Sequence, residues 1–87
     1  MQIVKISSLG CTSCIIVNNI LEKILENYKI HVKEIDYDFD DYNYEVGKTL
    51  PVLIFEDSSG NEISRLVGEV SYEEIENKLK EVYNEVI

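Results

Sequence analysis

Both cysteines of the chain lie in Gly10-Cys11-Thr12-Ser13-Cys14, directly after a strand-like run. Such a pair can exchange electrons, hold a metal or staple a fold. The staple is the weakest reading. A bridge between Cys11 and Cys14 closes a very short loop, for which the loop-entropy gain is only about 2 kcal/mol. Electron exchange needs a thiolate. A cysteine at a helix N-terminus meets unpaired backbone N–H groups and the positive end of the helix dipole, and both favour the anion. Cys11 has that position, with Gly10 letting the backbone turn tightly and leaving the sulfur uncovered. Cys14 follows one helical turn later, close enough to attack a mixed disulfide at Cys11 and release the reduced substrate. Cys11 is therefore expected to be the more exposed and more acidic thiol. Structural zinc needs four ligands, and the other soft candidate, His31, sits beside a strand start where a solvent-exposed role is the simpler reading. Two-coordinate Cu(I) binding by the thiols stays open. The expectation is no resident metal, and no cofactor beyond the Cys11–Cys14 pair.

The elements that position this pair follow from hydrophobic periodicity. Residues 2–7, QIVKIS, are short and β-branched and read as a strand ending at Ser-Ser-Leu-Gly. From Cys14 the apolar positions Val17, Ile20, Leu21, Ile24, Leu25 and Tyr28 fall at helical spacing. Residues 29–36 form a second strand, with Ile30, Val32 and, after a slip, Ile35 facing inward. Strand, helix and strand make one βαβ unit, so these two strands should be parallel with a right-handed crossover. One or two helical turns through Phe39, Tyr42 and Val46 should follow. The apolar run 51–55, PVLIF, reads as a central strand. Beyond the turn cluster EDSSGN, residues 62–67 form its antiparallel partner, ended by Gly68. Ser71 and Glu74 form a capping box, and Ile75, Leu79, Val82, Tyr83 and Val86 line one face of a closing helix. The expected architecture is α/β: βαβ followed by ββα, a four-stranded mixed sheet with helices on its faces, in one domain spanning 1–87.

Composition excludes some partners. The formal charge of −9 argues against nucleic acid, whose phosphates require clustered Lys and Arg. Six acids crowd into residues 34–45, EIDYDFDDYNYE, with no base among them. This run reads as a solvated loop whose tyrosines cover the core edge rather than as a docking face. Carboxylates at every second position there lack the Gly and terminal Glu of a calcium loop. No apolar run is long enough for a membrane span and no leader is visible, so a cytoplasmic monomer without membrane contact is expected.

From VKISSLGCTSC through a helix, a strand, TLPVLIF, the hairpin EDSSGNEISRLVGEVS and a final helix, the chain resembles the thioredoxin superfamily over nearly its whole length. It is most similar to the small, glutaredoxin-sized members with a Gly-Cys-x-x-Cys motif, with the family's second helix shortened. The resemblance implies a thiol–disulfide oxidoreductase acting on a disulfide-containing protein or small molecule, with a reductase or dithiol as electron donor. It implies Cys11 as attacking thiol and Cys14 as resolving thiol. Pro51 matches the family's cis-proline facing the disulfide, and Leu50 the residue whose backbone pairs with substrate. Gly68 matches a glycine that keeps the substrate groove open. Gly10 replaces the family's usual tryptophan, Thr12-Ser13 is not the usual dipeptide, and the glutathione-holding glycine signature is missing from LVGEVSYEE. Lys5 stands where larger members carry a buried acid. Strand alternation pairs it with Ile3, leaving two readings: an ammonium reaching solvent from a sheet edge, or a modulator of Cys14. LGCTSCIIVNNILEKIL also resembles heavy-metal-associated domains, the alternative function being metal binding by the same cysteines. Those domains end in a strand, whereas this chain ends in a capped helix.

Overall fold

The computed structural model describes residues 2–40 and 44–83. In chain order it contains β1 (Gln2–Ser7), α1 (Thr12–Leu25), β2 (His31–Asp36), β3 (Val52–Glu56), β4 (Glu62–Val67) and α2 (Tyr72–Tyr83). The strands form one sheet in the order β2-β1-β3-β4. β1 is parallel to β2 and antiparallel to β3, and β3 is antiparallel to β4. The βαβ and ββα halves therefore join through the central pair β1 and β3.

Strand alternation divides the core into two layers. Ile3, Leu53 and Phe55 face the helices and pack with Val17, Leu21 and Ile24 of α1 and Ile75, Leu79 and Tyr83 of α2. Val4, Ile6, Ile35, Val52 and Ile54 point to the opposite face. There is no slip at Ile35. Val32 pairs with Ile3 and Ile35 with Ile6, so the two side chains simply belong to opposite faces. No helix covers the second face among the described residues. A turn at 37–39 and irregular backbone from 44 to 50 lay Tyr37, Tyr44, Val46 and Leu50 over it instead. Asp36 organises that turn by accepting from the backbone N–H groups of Asp38 (2.9 Å) and Phe39 (3.3 Å). Tyr42 lies outside the described residues, as does Val86.

Each helix starts on a side-chain cap. Ser71 Oγ accepts from Glu74 N at 3.1 Å, which satisfies one of the orphan donors of α2. Glu73 and Glu74 in the first turn and Lys80 in the last complement the helix dipole. Tyr83 closes α2 onto the sheet, its hydroxyl lying 2.8 Å from the Glu56 carbonyl and 3.0 Å from that of Gln2. Burial, with the Glu56 charge nearby, pushes this phenol up to about 12. Glu56 is buried as well, and its carboxylate accepts from Gln2 Nε2 at 2.8 Å and from the Tyr44 hydroxyl at 2.6 Å.

Lys5 does not reach solvent from a sheet edge. β1 is an interior strand, and Lys5 is only 5% exposed, facing the helix side of the sheet beside Ile3. Its ammonium lies 2.6 Å from Glu34 Oε1 on β2, the residue directly opposite in the parallel register.

Candidate functional site: a cysteine pair at a helix start

β1 ends at Ser7, and the chain turns through Gly10, whose φ of +80° suits a residue without Cβ. That turn delivers Cys11 to the N-cap of α1 in extended backbone conformation. Its Sγ accepts from the Cys14 backbone N–H at 3.2 Å, so the sulfur takes the place a Ser or Asp oxygen fills in other helices. An anion at Cys11 is stabilised by the same N–H and by the helix dipole. Cys11 and Cys14 are joined as a disulfide, with Cα atoms 5.2 Å apart. Cys11 is half-buried, while Cys14 is 2% exposed. Cys11 is thus the more exposed of the two.

Residues distant in sequence complete the rim. The Leu50 carbonyl oxygen is 3.9 Å from Cys11 Sγ, within reach of a thiol donor once the pair is reduced. The Leu50–Pro51 peptide is cis. The Pro51 carbonyl accepts from Gly68 N at 2.8 Å, which ties the start of β3 to the end of β4. Gly68 has φ of +84°, and a Cβ there would meet Thr49 Cγ2 at 3.2 Å. Ser13 Oγ donates to Glu69 Oε1 at 3.3 Å, joining the first turn of α1 to the β4–α2 connection. Leu9, Ile15, Ile16 and Val67 are exposed apolar side chains of the segments that meet here. Gly10, Cys11, Cys14, Leu50, Pro51 and Gly68 therefore come together at one end of the sheet. Lys5 lies deeper, lining the cleft that Cys14 also lines.

Three participants escape a local reading of the sequence. Glu34 becomes visible only through the β1–β2 register. Glu69 reaches the site through Ser13. Asn18 carried a signal: it is four positions after Cys14, a polar residue beside the buried stripe of Cys14, Val17 and Leu21. His31 is exposed at the start of β2, and no group of three or more His, Cys, Asp or Glu side chains among the described residues could hold a metal ion.

No protein-family model matches the chain, and no curated protein does. Among solved structures it matches thioredoxin 1 from the thermophilic eubacterium Thermosipho africanus TCF52B with a TM-score of 0.72 and 23% sequence identity. The match covers 99% of this chain and 97% of that one. A four-stranded mixed sheet in the order β2-β1-β3-β4, with its βαβ and ββα halves, is the thioredoxin-like α/β fold. This chain has that fold, in the pattern of the Thermosipho thioredoxin. Its order of elements, with β4 following β3 before α2, also separates it from the heavy-metal-associated arrangement. No helix among the described residues is long and apolar enough to cross a membrane.

Proposed function

We propose that this protein is a thiol–disulfide oxidoreductase that reduces disulfides through Cys11 and Cys14. The observation that carries the reading is the asymmetry of the pair: Cys11 caps α1 and is only half-buried, whereas Cys14 is buried. In the reduced protein the Cys11 thiolate attacks a substrate disulfide. One substrate sulfur leaves as a thiol and the other stays bonded to Cys11. Cys14, as thiolate, then attacks Cys11 Sγ, the mixed disulfide breaks, and the second substrate thiol departs. Two electrons pass to the substrate and the Cys11–Cys14 disulfide remains. A reductase or dithiol returns the pair to the reduced state.

Leu50, Pro51, Gly68 and Gly10 form the surface against which an extended substrate would lie, with the Leu50 carbonyl already beside Cys11. The reading extends to a cytoplasmic monomer that uses no cofactor besides its own disulfide and acts on a disulfide-containing protein or small molecule. The fold likeness to a thioredoxin supports it, as do the lack of a third metal ligand beside the cysteines among the described residues and the net charge of −9, which disfavours nucleic acid.

The test sets catalysed insulin-disulfide reduction, with a dithiol or thioredoxin reductase as donor, beside Cu(I) and zinc titrations of the reduced protein. Turnover without tight metal binding supports the proposal. Tight metal binding without turnover replaces it with a metal-binding function for the same cysteines.

A further inference from the structure

Lys5 is an expensive residue where it stands. Its side chain is 7% exposed, in an interior strand between Val4 and Ile6, and removing an ammonium from water costs several kcal/mol unless the charge is well paired. Among the described residues its one ion pair is with Glu34, whose own side chain is 72% exposed. An apolar residue would fill the position at lower cost, so the charge calls for an explanation beyond packing.

The surroundings supply one. A cleft of about 340 Å³ is lined by Lys5, Cys14, Asn18, Glu34, Asp36 and Asp40, among others. Lys5 is the one cationic side chain among the described residues that line it. Asn18 lies one helical turn beyond Cys14, and its Oδ1 is buried without a hydrogen-bond partner among the described residues. Lys5 and Asn18 also line the adjoining cleft together. Cys14, Asn18, Lys5 and Glu34 thus form a polar seam under an otherwise apolar helix face.

Cys14 needs such a seam. It must become a thiolate to resolve the mixed disulfide, yet its burial disfavours the anion and the helix N-cap position belongs to Cys11. The other charges near it are of the wrong sign. Glu34 and Asp36 of β2 and Asp40 beyond it line the cleft, and Glu69 lies across α1, bonded to Ser13.

We propose that Lys5, held by Glu34, is a positioning residue whose ammonium stabilises the buried Cys14 thiolate across this cleft and so sets the rate of the resolving step. The proposal rests on the thiol–disulfide exchange described above. In that step the Cys14 proton passes through the cleft to solvent, the thiolate attacks Cys11 Sγ, and the substrate sulfur leaves and is protonated. Glu34 acts in the opposite sense, since its negative charge offsets part of the Lys5 field at Cys14.

The two residues can be separated from a structural role by sign. The probe is dithiobis-nitrobenzoate, a chromogenic aromatic disulfide. The reduced protein releases one coloured thiol when Cys11 attacks and a second when Cys14 resolves. Lys5→Met should slow the second release about tenfold at neutral pH and move its pH midpoint upward, leaving the first release within about twofold. Glu34→Gln should hasten the second release and move its midpoint downward. Lys5→Arg should restore most of the rate. A second release unchanged in Lys5→Met, or slowed alike in Lys5→Met and Glu34→Gln, overturns the proposal. A wild-type protein with no first release overturns the oxidoreductase reading itself.

Discussion

Tyr44→Phe removes a single oxygen and should cost the protein a substantial part of its stability. The Tyr44 hydroxyl donates to Glu56 Oε2 at 2.6 Å, and Glu56 is 3% exposed. The other carboxylate oxygen takes Gln2 Nε2 at 2.8 Å, and no cation pairs with Glu56 among the described residues. A hydrogen bond to a charged group contributes about 1.5–3 kcal/mol, and a buried acceptor left without its donor bears the desolvation cost in full. The Phe ring keeps the apolar contact with the second face of the sheet, so the loss isolates the hydroxyl. For a chain of this size about 1 kcal/mol corresponds to roughly 4–8 °C in Tm, so a loss of about 2 kcal/mol places the expected fall near 8–16 °C. Thermal unfolding followed by circular dichroism at pH 7 reads it directly. Function should follow, because the segment from Tyr44 carries Leu50 and Pro51 to the cysteines. A second polar anchor is the Arg65 guanidinium, which donates to the Glu45 carbonyl at 2.6 Å. The variant should therefore reduce disulfides more slowly even well below its Tm. A Tm within about 2 °C of wild type would refute the assignment of Glu56 and Tyr44 as the anchor.

Two further outcomes follow from particular geometries. Gly68→Ala and Gly60→Ala both place a Cβ on left-handed backbone, at φ of +84° and +85°, and each should cost about 1–2 kcal/mol for that reason. Gly68→Ala should cost more, because Thr49 Cγ2 stands 3.2 Å from the added carbon, and it alone should lower the rate of disulfide reduction; urea titration and the insulin assay on both variants check this. Alkaline pH should unfold the protein early. The Tyr44 and Tyr83 phenols are both pushed up to about 12 from an ordinary 10.0, chiefly by burial. Folding thus favours their neutral form. The associated stability is complete below pH 10 and is lost as pH rises from 10 toward 12, which urea midpoints at pH 9 and 11 should show.

The order of elements was legible in the sequence because each has a strong period. Val17, Leu21 and Ile24 mark α1, Ile75, Leu79 and Tyr83 mark α2, and PVLIF announces a strand buried on both faces. The Gly10-Cys11 turn and the Ser71 cap were equally local, and both formed as their residue types dictate. Cover for the second face was not legible as structure. Its residues are scattered through an acidic link: the spacing of Phe39, Tyr42 and Val46 suggests helical turns, but 44–50 is irregular backbone, and Tyr37, Tyr44, Val46 and Leu50 cover the face without sharing one period. Val32 and Ile35 look like a slip for a related reason, since one inward residue on each face breaks the alternation of either face taken alone. Lys5 and Glu34 meet through strand register, which no local pattern encodes, and the central place of β1 is a property of topology. That place is what buries Lys5.

The central claim, that Cys11 attacks and Cys14 resolves, is tested most directly by trapping the intermediate. Cys14→Ser, reduced and then exposed to oxidised insulin at neutral pH, should accumulate a covalent adduct that mass spectrometry maps to Cys11 and a reductant dissolves. Cys11→Ser under the same conditions should form none. An adduct at Cys14 in the Cys11→Ser protein, with none at Cys11 in its counterpart, would contradict the account.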